Sequence, residues 1–329
     1  MKKYNAPFVH TEKTVFSHAA NWLVAIIPVL IWAVYMFGGR VITLCTLCAL
    51  FSIGFDFPVR KFLLKRKGIA QIDPMAAIYG ILTAFMMPVA VSLWVPMVGA
   101  LFVTVAKNIR LIKARRLFNP FVFSASMLHL CFSSQMTQYT RPFAYFNAFS
   151  FSIEDKLLNS YRVISPLQYM ADGSVYEDGV FAQLYGFASG NIGEIAVTAM
   201  IISLVWLSIK KEGDWKSAVA FLVPVLLLSL ALPSDDAESE YYAYSMLLSG
   251  AVCFLAVFAM NERQTLPLTS SGRIIFGAVG GSVTFLLHRY VGGFEWGYLV
   301  ILALNVASPF LETITRPKAI GEKESRDLK

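Results

Sequence analysis

The sequence has little charge for its length. Asp, Glu, Lys and Arg make up 15% of its 329 residues, whereas soluble domains average about 25%. Hydrophobic residues make up 57%, which is more apolar surface than one water-soluble core can hide. We therefore expect an all-α integral membrane protein. The net charge of +7 does not indicate a nucleic-acid partner, because the basic residues form short blocks between apolar segments, as membrane topology requires.

Cysteine is also scarce. The four cysteines are too few for a disulfide framework, and Cys45, Cys131 and Cys253 lie within apolar runs. Cys45 and Cys48 are spaced to share one face of a helix, where Cys131 or His129 could complete a metal or iron–sulfur site. Buried cysteine is more often plain packing, so we predict no metal site.

Several motifs are missing. The sequence contains no P-loop, no GxGxxG fingerprint and no Ser–His–Asp spacing, which argues against a nucleotidase or an NADH-dependent dehydrogenase carried by this chain alone. Residues 1–13 are polar and mixed, without the apolar core of a signal peptide. We therefore expect the first transmembrane helix itself to direct insertion.

What the sequence has instead is a series of apolar segments, each near the length of about 20 residues that spans a membrane. The predicted spans are 15–37, 40–58, 74–90, 91–106, 119–134, 192–209, 217–232, 241–260, 273–290 and 296–314. The third and fourth are broken by Pro88 and Pro96, so they could be short or partly re-entrant.

The basic residues set the predicted orientation. With ten spans and both termini on one side, all but five of the 28 Lys and Arg lie on the side of the termini, including the blocks at 60–67 and 107–116. An eight-span arrangement leaves a basic block on the wrong side. By the positive-inside rule, both termini are cytoplasmic and the protein lies in the cytoplasmic (inner) membrane. The five exceptions are Arg40, Arg141, Lys156, Arg162 and Arg289.

These spans divide the chain into three parts. Residues 1–135 form an N-terminal five-helix half, residues 136–191 a long extracytoplasmic loop, and residues 192–329 a C-terminal five-helix half with a cytoplasmic tail. A loop of this length is usually functional or disordered, and its many aromatic residues argue against disorder. Asn119-Pro120-Phe121 and Ser308-Pro309-Phe310 hint at duplication, and an odd number of spans per half would make that 5+5 repeat inverted.

Five motifs then occur in order along the chain. They read DPMAAIYG at 73–80, LFNP at 117–120, GNIGE at 190–194, SGRIIFGA at 271–278 and RYVGG at 289–293. The chain resembles the RnfD/NqrB family, whose corresponding segments read DGSAVVTG, NxFNP, GSIGE, KGRLIFGA and RYFGG. The resemblance covers most of the chain, and Asn305 and Pro309 fit the family's last helix.

The resemblance implies a flavin on the outer loop. The family carries FMN as a phosphoester of a threonine in a D-x-x-(S/T)-G-A-T-P-L segment, and the matching segment here is NSYRVISPL at 159–167. Ser165 stands at the threonine position with Pro166 after it. Asn159, Val163 and Ile164 replace the motif's Asp, Gly and Ala. A hydroxyl remains for covalent FMN. Non-covalent flavin among the loop's aromatic rings, with Arg162, Gly190 and Gly193 nearby, is the alternative.

Two carboxylates are candidates for ion coupling. Glu194 begins a helix at a depth where an unpaired charge costs about 2.5–3.5 kcal/mol; a helix-start carboxylate stabilised by the helix dipole is the plainer interpretation. Asp56 lies one turn before Arg60, which favours a structural ion pair and leaves an ion path possible. We expect Asp73, directly before Pro74, to cap a helix, and His129 to bond between helices.

As the resemblance implies, the chain would be a membrane subunit of an Rnf- or Nqr-like complex. It would carry electrons through flavin, work with partner redox subunits, and couple electron transfer to Na⁺ or H⁺ movement. One alternative is an ion or small-solute transporter of the same fold that lacks a redox centre. Another is a scaffold protein of the complex whose loop binds a partner without any cofactor.

Overall fold

The computed structural model describes residues 14–65, 68, 72–109, 116–171, 179–233, 239–249, 251–292 and 295–316. The described residues form helices and connecting turns, with one isolated β-bridge between Thr140 and Arg162. This confirms the all-α class. Parts of both basic blocks (residues 66, 67 and 110–115) and the tail (317–329) lie outside the described residues. The prediction that the termini are cytoplasmic stays a prediction.

Fifteen α-helices follow one another along the described chain. They are α1 Val15–Phe37, α2 Arg40–Pro58, α3 Pro74–Phe85, α4 Val95–Asn108, α5 Pro120–Cys131, α6 Ser133–Met136, α7 Asp155–Tyr161, α8 Pro166–Ala171, α9 Gly179–Tyr185, α10 Val197–Ile209, α11 Trp215–Ala231, α12 Ser239–Leu248, α13 Val252–Val257, α14 Ser270–Tyr290 and α15 Trp296–Thr315.

Within the described residues, four helices are long and apolar enough to cross a membrane: α1, α2 with its continuation to Leu63, α14 and α15. The pair Glu240–Leu248 and Val252–Asn261 is bent by 59°, so it is either a fifth, broken span or a re-entrant loop. Five shorter apolar helices, α3, α4, α5, α10 and α11, complete the set. Each of the ten predicted spans therefore has a helical counterpart, but half of them are shorter than a full span.

The short helices correct several predicted bounds. The span predicted over 74–90 ends as a helix at Phe85, the span over 91–106 begins at Val95, and the span over 192–209 begins at Val197. A 12-residue helix such as α3 rises only about 18 Å, against about 30 Å of hydrocarbon. The remaining length is non-helical chain: residues 86–94 and 191–196 are buried or half-buried. Such backbone is tolerated at membrane depth where protein surrounds it.

Corresponding helices make similar contacts within the two halves. In the first half α2 packs on α3 and α4, and in the second α11 packs on α12, α13 and α14. Across the halves, α1 packs on α10 and α5 on α15. These are the first and the fifth spans of each half. Pro120 begins α5, whereas Pro309 lies inside α15, so the similar tripeptides at these two places are not equivalent positions of the repeat.

The non-helical segments of the two halves meet in the interior. The backbone N–H of Ile192 donates to the carbonyl of Met87 (3.0 Å) and that of Gly193 to the carbonyl of Phe85 (2.8 Å). A Cβ on Gly193 would lie 2.5 Å from Cβ of Phe85, so this approach requires glycine. We call this contact of 85–87 with 191–196 the crossing. It places the GNIGE motif against the end of α3.

A buried arginine fastens the outer loop to the same region. Arg40 is 0% exposed, and its guanidinium donates to the carbonyls of Val89, Val91, Asn147 and Ser150, each at 2.9 Å. Charge-assisted bonds of this kind are stronger than neutral ones. One side chain thus joins the loop at 147–150 to the non-helical segment that leads to the crossing.

Candidate functional site

Glu194 lies within the crossing, in the turn that precedes α10. The Asn191 carbonyl accepts the Glu194 N–H (3.1 Å) and closes this turn. The carboxyl group is 4% exposed. The Asn191 side-chain amide donates to its Oε2 (2.7 Å), and the Tyr298 hydroxyl donates to its Oε1. The Glu194 carboxyl group is therefore bound by two parts of the chain, the turn before α10 and the first turn of α15.

A second buried carboxyl group, Glu295, faces the same place. Glu295 directly precedes α15 and is 4% exposed, and its Oε2 accepts the backbone N–H of Ala251 (3.3 Å). Burial raises the pKa of this carboxyl above its ordinary value. Glu295 was not predicted from the sequence. Its signal was the one used for Glu194, a carboxylate at the start of an apolar helix.

Two small cavities lie beside these carboxylates. The inner cavity, about 20 Å³, is lined by Glu194 and Glu295 together with Tyr139, Ser165, Pro166, Gln183, Ala188, Ser189, Gly190, Ile195, Leu248 and Ser249. The outer cavity, about 30 Å³, is lined by His129, Ser133, Thr137, Tyr139, Ser165, Leu167, Gln168 and Glu295. Each has room for one or two water molecules. Tyr139, Ser165 and Glu295 belong to both walls.

His129 and Tyr298 close the site from the side of α5 and α15. The two rings lie 5.2 Å apart between centroids, and Nδ1 of His129 bonds to the carbonyl of Ala125 (2.9 Å) in its own helix. The ring thus packs across the interface between the halves while this hydrogen bond stays within α5. A hydrogen bond from His129 to another helix stays a prediction.

Besides Asp56, the sequence predicts six site residues, and four of them are brought together at the inner cavity: Ser165, Pro166, Gly190 and Glu194. Gly193 lies behind them at the crossing. Arg162 is exposed, forms the β-bridge with Thr140 and does not line either cavity. The six residues therefore do not all surround one space.

Asp56 lies in a different cluster. Its carboxylate accepts from Arg60 (2.8 Å), Lys107 (2.6 Å) and Asn108 (3.3 Å). Asp73 shares both cations, bonding to Arg60 and to Lys107 (2.9 Å). The predicted Asp56–Arg60 pair is confirmed. So is the capping role of Asp73, whose Oδ1 accepts the N–H of Met75 (3.1 Å). We call the four charged residues Asp56, Arg60, Asp73 and Lys107 the charge-balanced cluster.

The sequence model of the NQR2, RnfD, RnfE family matches residues 2–321. The chain belongs to this family. The resemblance predicted from five motifs is therefore confirmed, and the family match covers both five-helix halves and the loop between them.

Several relatives within the NQR2, RnfD, RnfE family carry names. The chain is 25% identical to the D subunit of the Na(+)-translocating ferredoxin:NAD(+) oxidoreductase complex of Acetobacterium woodii, over 96% of this chain and 94% of that one. It is also 25% identical to the D subunit of the ion-translocating oxidoreductase complex of Methanosarcina acetivorans, over 96% of each, and to the protein of that name from Citrobacter koseri, over 97% and 98%. These full-length matches make the chain a homologue of the D-type subunits of Rnf complexes.

The family's flavin can be tested against the described residues at Ser165. The side chain is 4% exposed, and its Oγ accepts the N–H of Gln168 (3.4 Å) while Gln168 Oε1 accepts the N–H of Ser165 (3.2 Å). This reciprocal pair is a capping box that begins α8. A phosphoester would have to displace the cap. The adjoining cavities of about 20 and 30 Å³ cannot hold an isoalloxazine ring.

A roomier cleft of about 280 Å³ lies elsewhere on the loop. It is lined by polar groups that include Gln135, Gln138, Glu154 and Asp155, and Ser165 is not part of its wall. The two carboxylates would repel an FMN phosphate. In this conformation the described residues therefore do not fit a flavin esterified to Ser165.

Proposed function

We propose that this chain is a membrane subunit of an ion-translocating electron-transport complex of the Rnf type, and that Glu194 and Glu295 handle the translocated ion or proton. The proposal is supported by one observation above all. Two carboxyl groups, each 4% exposed, line one small cavity beside the crossing of the two halves. An ionisable residue inside a membrane protein is a functional-site hypothesis by default.

The chemistry of the pair follows from its burial. Two carboxylates in a low-dielectric site do not both ionise, because the second charge is repelled by the first and is poorly solvated. The pair therefore either keeps a proton or takes up a cation. Hard cations prefer oxygen ligands, and the inner cavity offers carboxyl, hydroxyl and amide oxygens. Release of the proton or cation changes the charge of the site. A site that couples electron transfer to ion movement requires such a change.

The experiment separates ion movement from electron flow in the reconstituted complex. We expect Glu194→Gln and Glu295→Gln each to lower ion translocation per electron by more than about tenfold, because each removes the titrating group from a site where one charge decides occupancy. Glu240→Gln is the matched control, since Glu240 is exposed at the start of its helix. A wild-type ratio of ions to electrons in both variants would refute the assignment.

Electron carriage by this chain through FMN or another flavin stays a prediction. It can be tested on protein co-expressed with a flavin transferase, by fluorescence on a denaturing gel and by the absorbance spectrum of the native sample. From the buried cap at Ser165 we expect no covalent band. A fluorescent band that Ser165→Ala abolishes would contradict this. A flavin spectrum without a band would support non-covalent flavin at another part of the loop.

The transporter without a redox centre is the second candidate. It is favoured by the engagement of Ser165 in a helix cap. The cavities of about 20 and 30 Å³ exclude solutes larger than water or a bare ion, so this candidate narrows to an ion pathway. Ion flux through the purified chain alone in liposomes, without partner subunits or an electron donor, would favour it over a role within the complex.

We further propose that the protein resides in the cytoplasmic membrane with both termini inside, and that its partners are the other membrane redox subunits of such a complex. The charge distribution supports the orientation, and the relatives' names support the complex. A protease-accessible tag at each terminus, tested in intact cells and in lysed cells, would check the orientation.

A further inference from the structure

The two cavities at the candidate site share a wall, and Ser165 stands in it. Ser165 lines both the inner and the outer cavity, as do Tyr139 and Glu295. The inner cavity reaches Glu194, and the outer one does not. Glu194, which lines only the inner cavity, and Ser133 and Thr137, which line only the outer one, are therefore linked by residues that line both.

The far wall of the outer cavity is at the protein surface. Ser133 is exposed and Thr137 is half-buried, and both belong to the short helix α6 and the turn that follows it. The Thr137 hydroxyl donates to the Ser133 carbonyl (2.9 Å), so these two residues lie on one side of the turn. We infer that these two residues form the mouth of the outer cavity.

The wall of the inner cavity also includes Gln183, a buried residue with one unpaired polar atom. Gln183 is 2% exposed, its amide nitrogen donates to Ser245 (3.4 Å), and its Oε1 has no hydrogen-bond partner among the described residues. A buried amide oxygen of this kind is normally satisfied by protein or by water. The space beside it, about 20 Å³, is enough for one water or one small cation.

We propose that these cavities form a hydrated path from the outer face, at Ser133 and Thr137, to the buried carboxylates, with Ser165 at its narrowest part. What the path carries rests on the function proposed above; that the path exists does not. Its width admits water, protons and bare cations. The Ser165 hydroxyl can donate one hydrogen bond and accept two, so it can cap α8 and still serve a water or an ion in the path.

On this proposal, the position that the family resemblance matches to a flavin-bearing threonine has a second use in this chain. The hydroxyl that would be esterified is instead a wall of the ion route. A group attached there would close the proposed path, because Ser165 lines both cavities.

Silver ion is a suitable probe, since it is small, binds thiolates tightly and reaches only hydrated thiols. The Cys131→Ser background removes the exposed native thiol, while Cys45, Cys48 and Cys253 are buried. Ser165→Cys and Ser189→Cys are introduced singly. Right-side-out vesicles carrying the whole complex are treated with silver nitrate in chloride-free buffer, and silver per purified chain is counted.

We expect stoichiometric silver in Ser165→Cys and in Ser189→Cys, above the background protein. Ser203→Cys is the matched control: Ser203 is 0% exposed, its hydroxyl donates to Ala25 (2.6 Å), and it lines neither cavity. Silver no higher in both variants than in Ser203→Cys would overturn the path. Silver in Ser165→Cys alone would overturn its extension to Glu194. If Ser165→Cys fails to fold, Ser189→Cys decides.

A second measurement distinguishes the path from its use. Ser165→Leu fills the narrow part, and we expect it to lower ion translocation more than about tenfold, as apolar constrictions do. Ser160→Leu, at an exposed residue that lines neither cavity, should leave translocation near wild type. Silver labelling together with normal translocation in Ser165→Leu and Glu194→Gln would keep the path and refute the proposed function. Lost translocation without labelling at 165 or 189 would keep the function and refute the path.

Discussion

Two groups of buried acids in this protein differ in what neutralises them. Asp56 and Asp73 are 2% and 6% exposed and share Arg60 and Lys107, so two negative charges meet two positive ones. Glu194 and Glu295 are equally buried, but the groups that bond to Glu194 are the Asn191 amide and the Tyr298 hydroxyl, both uncharged. The first group is balanced by its own chain, whereas on our proposal a proton or a cation completes the second.

This difference distinguishes two kinds of buried carboxylate in a membrane protein, those that stabilise the fold and those that can change their charge. A charge-balanced cluster keeps one protonation state and one geometry, so it stabilises the fold and cannot release a charge without great cost. A pair of carboxylates that is hydrogen-bonded by uncharged groups changes its net charge when it gains or loses one proton or one cation. Burial alone does not separate the two cases, and neither does sequence spacing.

Lys107→Met should cause the largest loss of stability, because it leaves the charge-balanced cluster with an excess negative charge. Lys107 is 3% exposed and bonds to both Asp56 (2.6 Å) and Asp73 (2.9 Å). Removing one partner of a buried ion pair costs about 3–5 kcal/mol, since the remaining charge is left buried and unpaired. We expect a large fall in the melting temperature in detergent. Lys156→Met, at an exposed lysine, is the control.

The double variant Asp56→Asn with Lys107→Met tests whether the excess charge causes the loss of stability. It removes one charge of each sign and should recover part of the stability lost in the single variant. A single variant as stable as Lys156→Met would mean that the cluster is solvated in the membrane and that our contrast between the two groups is wrong.

Gly193→Ala comes next in size and tests the crossing that positions Glu194. The new Cβ would lie 2.5 Å from Cβ of Phe85 and 2.8 Å from Cγ, and overpacking of this kind costs about 1–3 kcal/mol. We expect a lower melting temperature and weaker ion coupling together. Gly54→Ala is the matched control, because a Cβ there meets nothing within 4 Å. Equal effects of the two substitutions would contradict the close approach.

The two groups should also give opposite pH slopes. Burial raises the pKa of Glu295, so the folded protein holds its proton more tightly than the unfolded chain, and stability falls as pH rises above the ordinary glutamate range. Glu295→Gln should flatten that fall, by about 1.4 kcal/mol for each unit of pKa shift. Melting temperatures from about pH 5 to about pH 8 measure it.

For Asp73 the sign reverses. Burial alone would raise its pKa, but Lys107 and Arg60 outweigh burial and hold the pKa below its ordinary value. Its stabilisation is therefore present above the ordinary aspartate range and is lost as pH falls through that range. Asp73→Asn should remove the acid-side loss and leave the fall at higher pH unchanged. Identical slopes in the two variants would show that the groups do not differ as we describe.

Much of the fold follows from the sequence, and the reasons for the failures are physical. Apolar length and basic blocks predicted ten helical segments, and Asp73-Pro74 predicted a helix start that the structure confirms. Periodicity could not show that α3 stops at Phe85 and that the chain continues unwound. What makes that stable is burial by the other half, with Gly193 packed on Phe85, and such contacts between distant segments leave no local signal.

The site was predicted only in part for the same reason. Glu194 stood out as a lone carboxylate in a motif, and the spacing of Asp56 and Arg60 predicted their pair. Lys107, 51 residues from Asp56, could not be assigned to that cluster without the fold. Glu295 has a local signal of the same kind, a carboxylate directly before an apolar helix. Ser165 was matched to a modified threonine by motif position alone, which cannot reveal that the hydroxyl is buried and caps a helix.

Ser165→Ala should have the smallest effect on stability and tests the cap itself. Loss of an N-cap hydroxyl costs about 1 kcal/mol, here at a six-residue helix whose N–H donor is Gln168 (3.4 Å). We expect a small decrease in the melting temperature, recovered in Ser165→Thr because threonine also caps. Ser160→Ala is the control, since that hydroxyl is exposed and donates within α7 to Lys156 (2.9 Å). A decrease as large as that of Lys107→Met would mean that Ser165 supports far more than α8. No decrease at all would show that the Ser165 hydroxyl does not stabilise α8 as a cap. The hydroxyl would then be available for the esterification that its buried position now opposes.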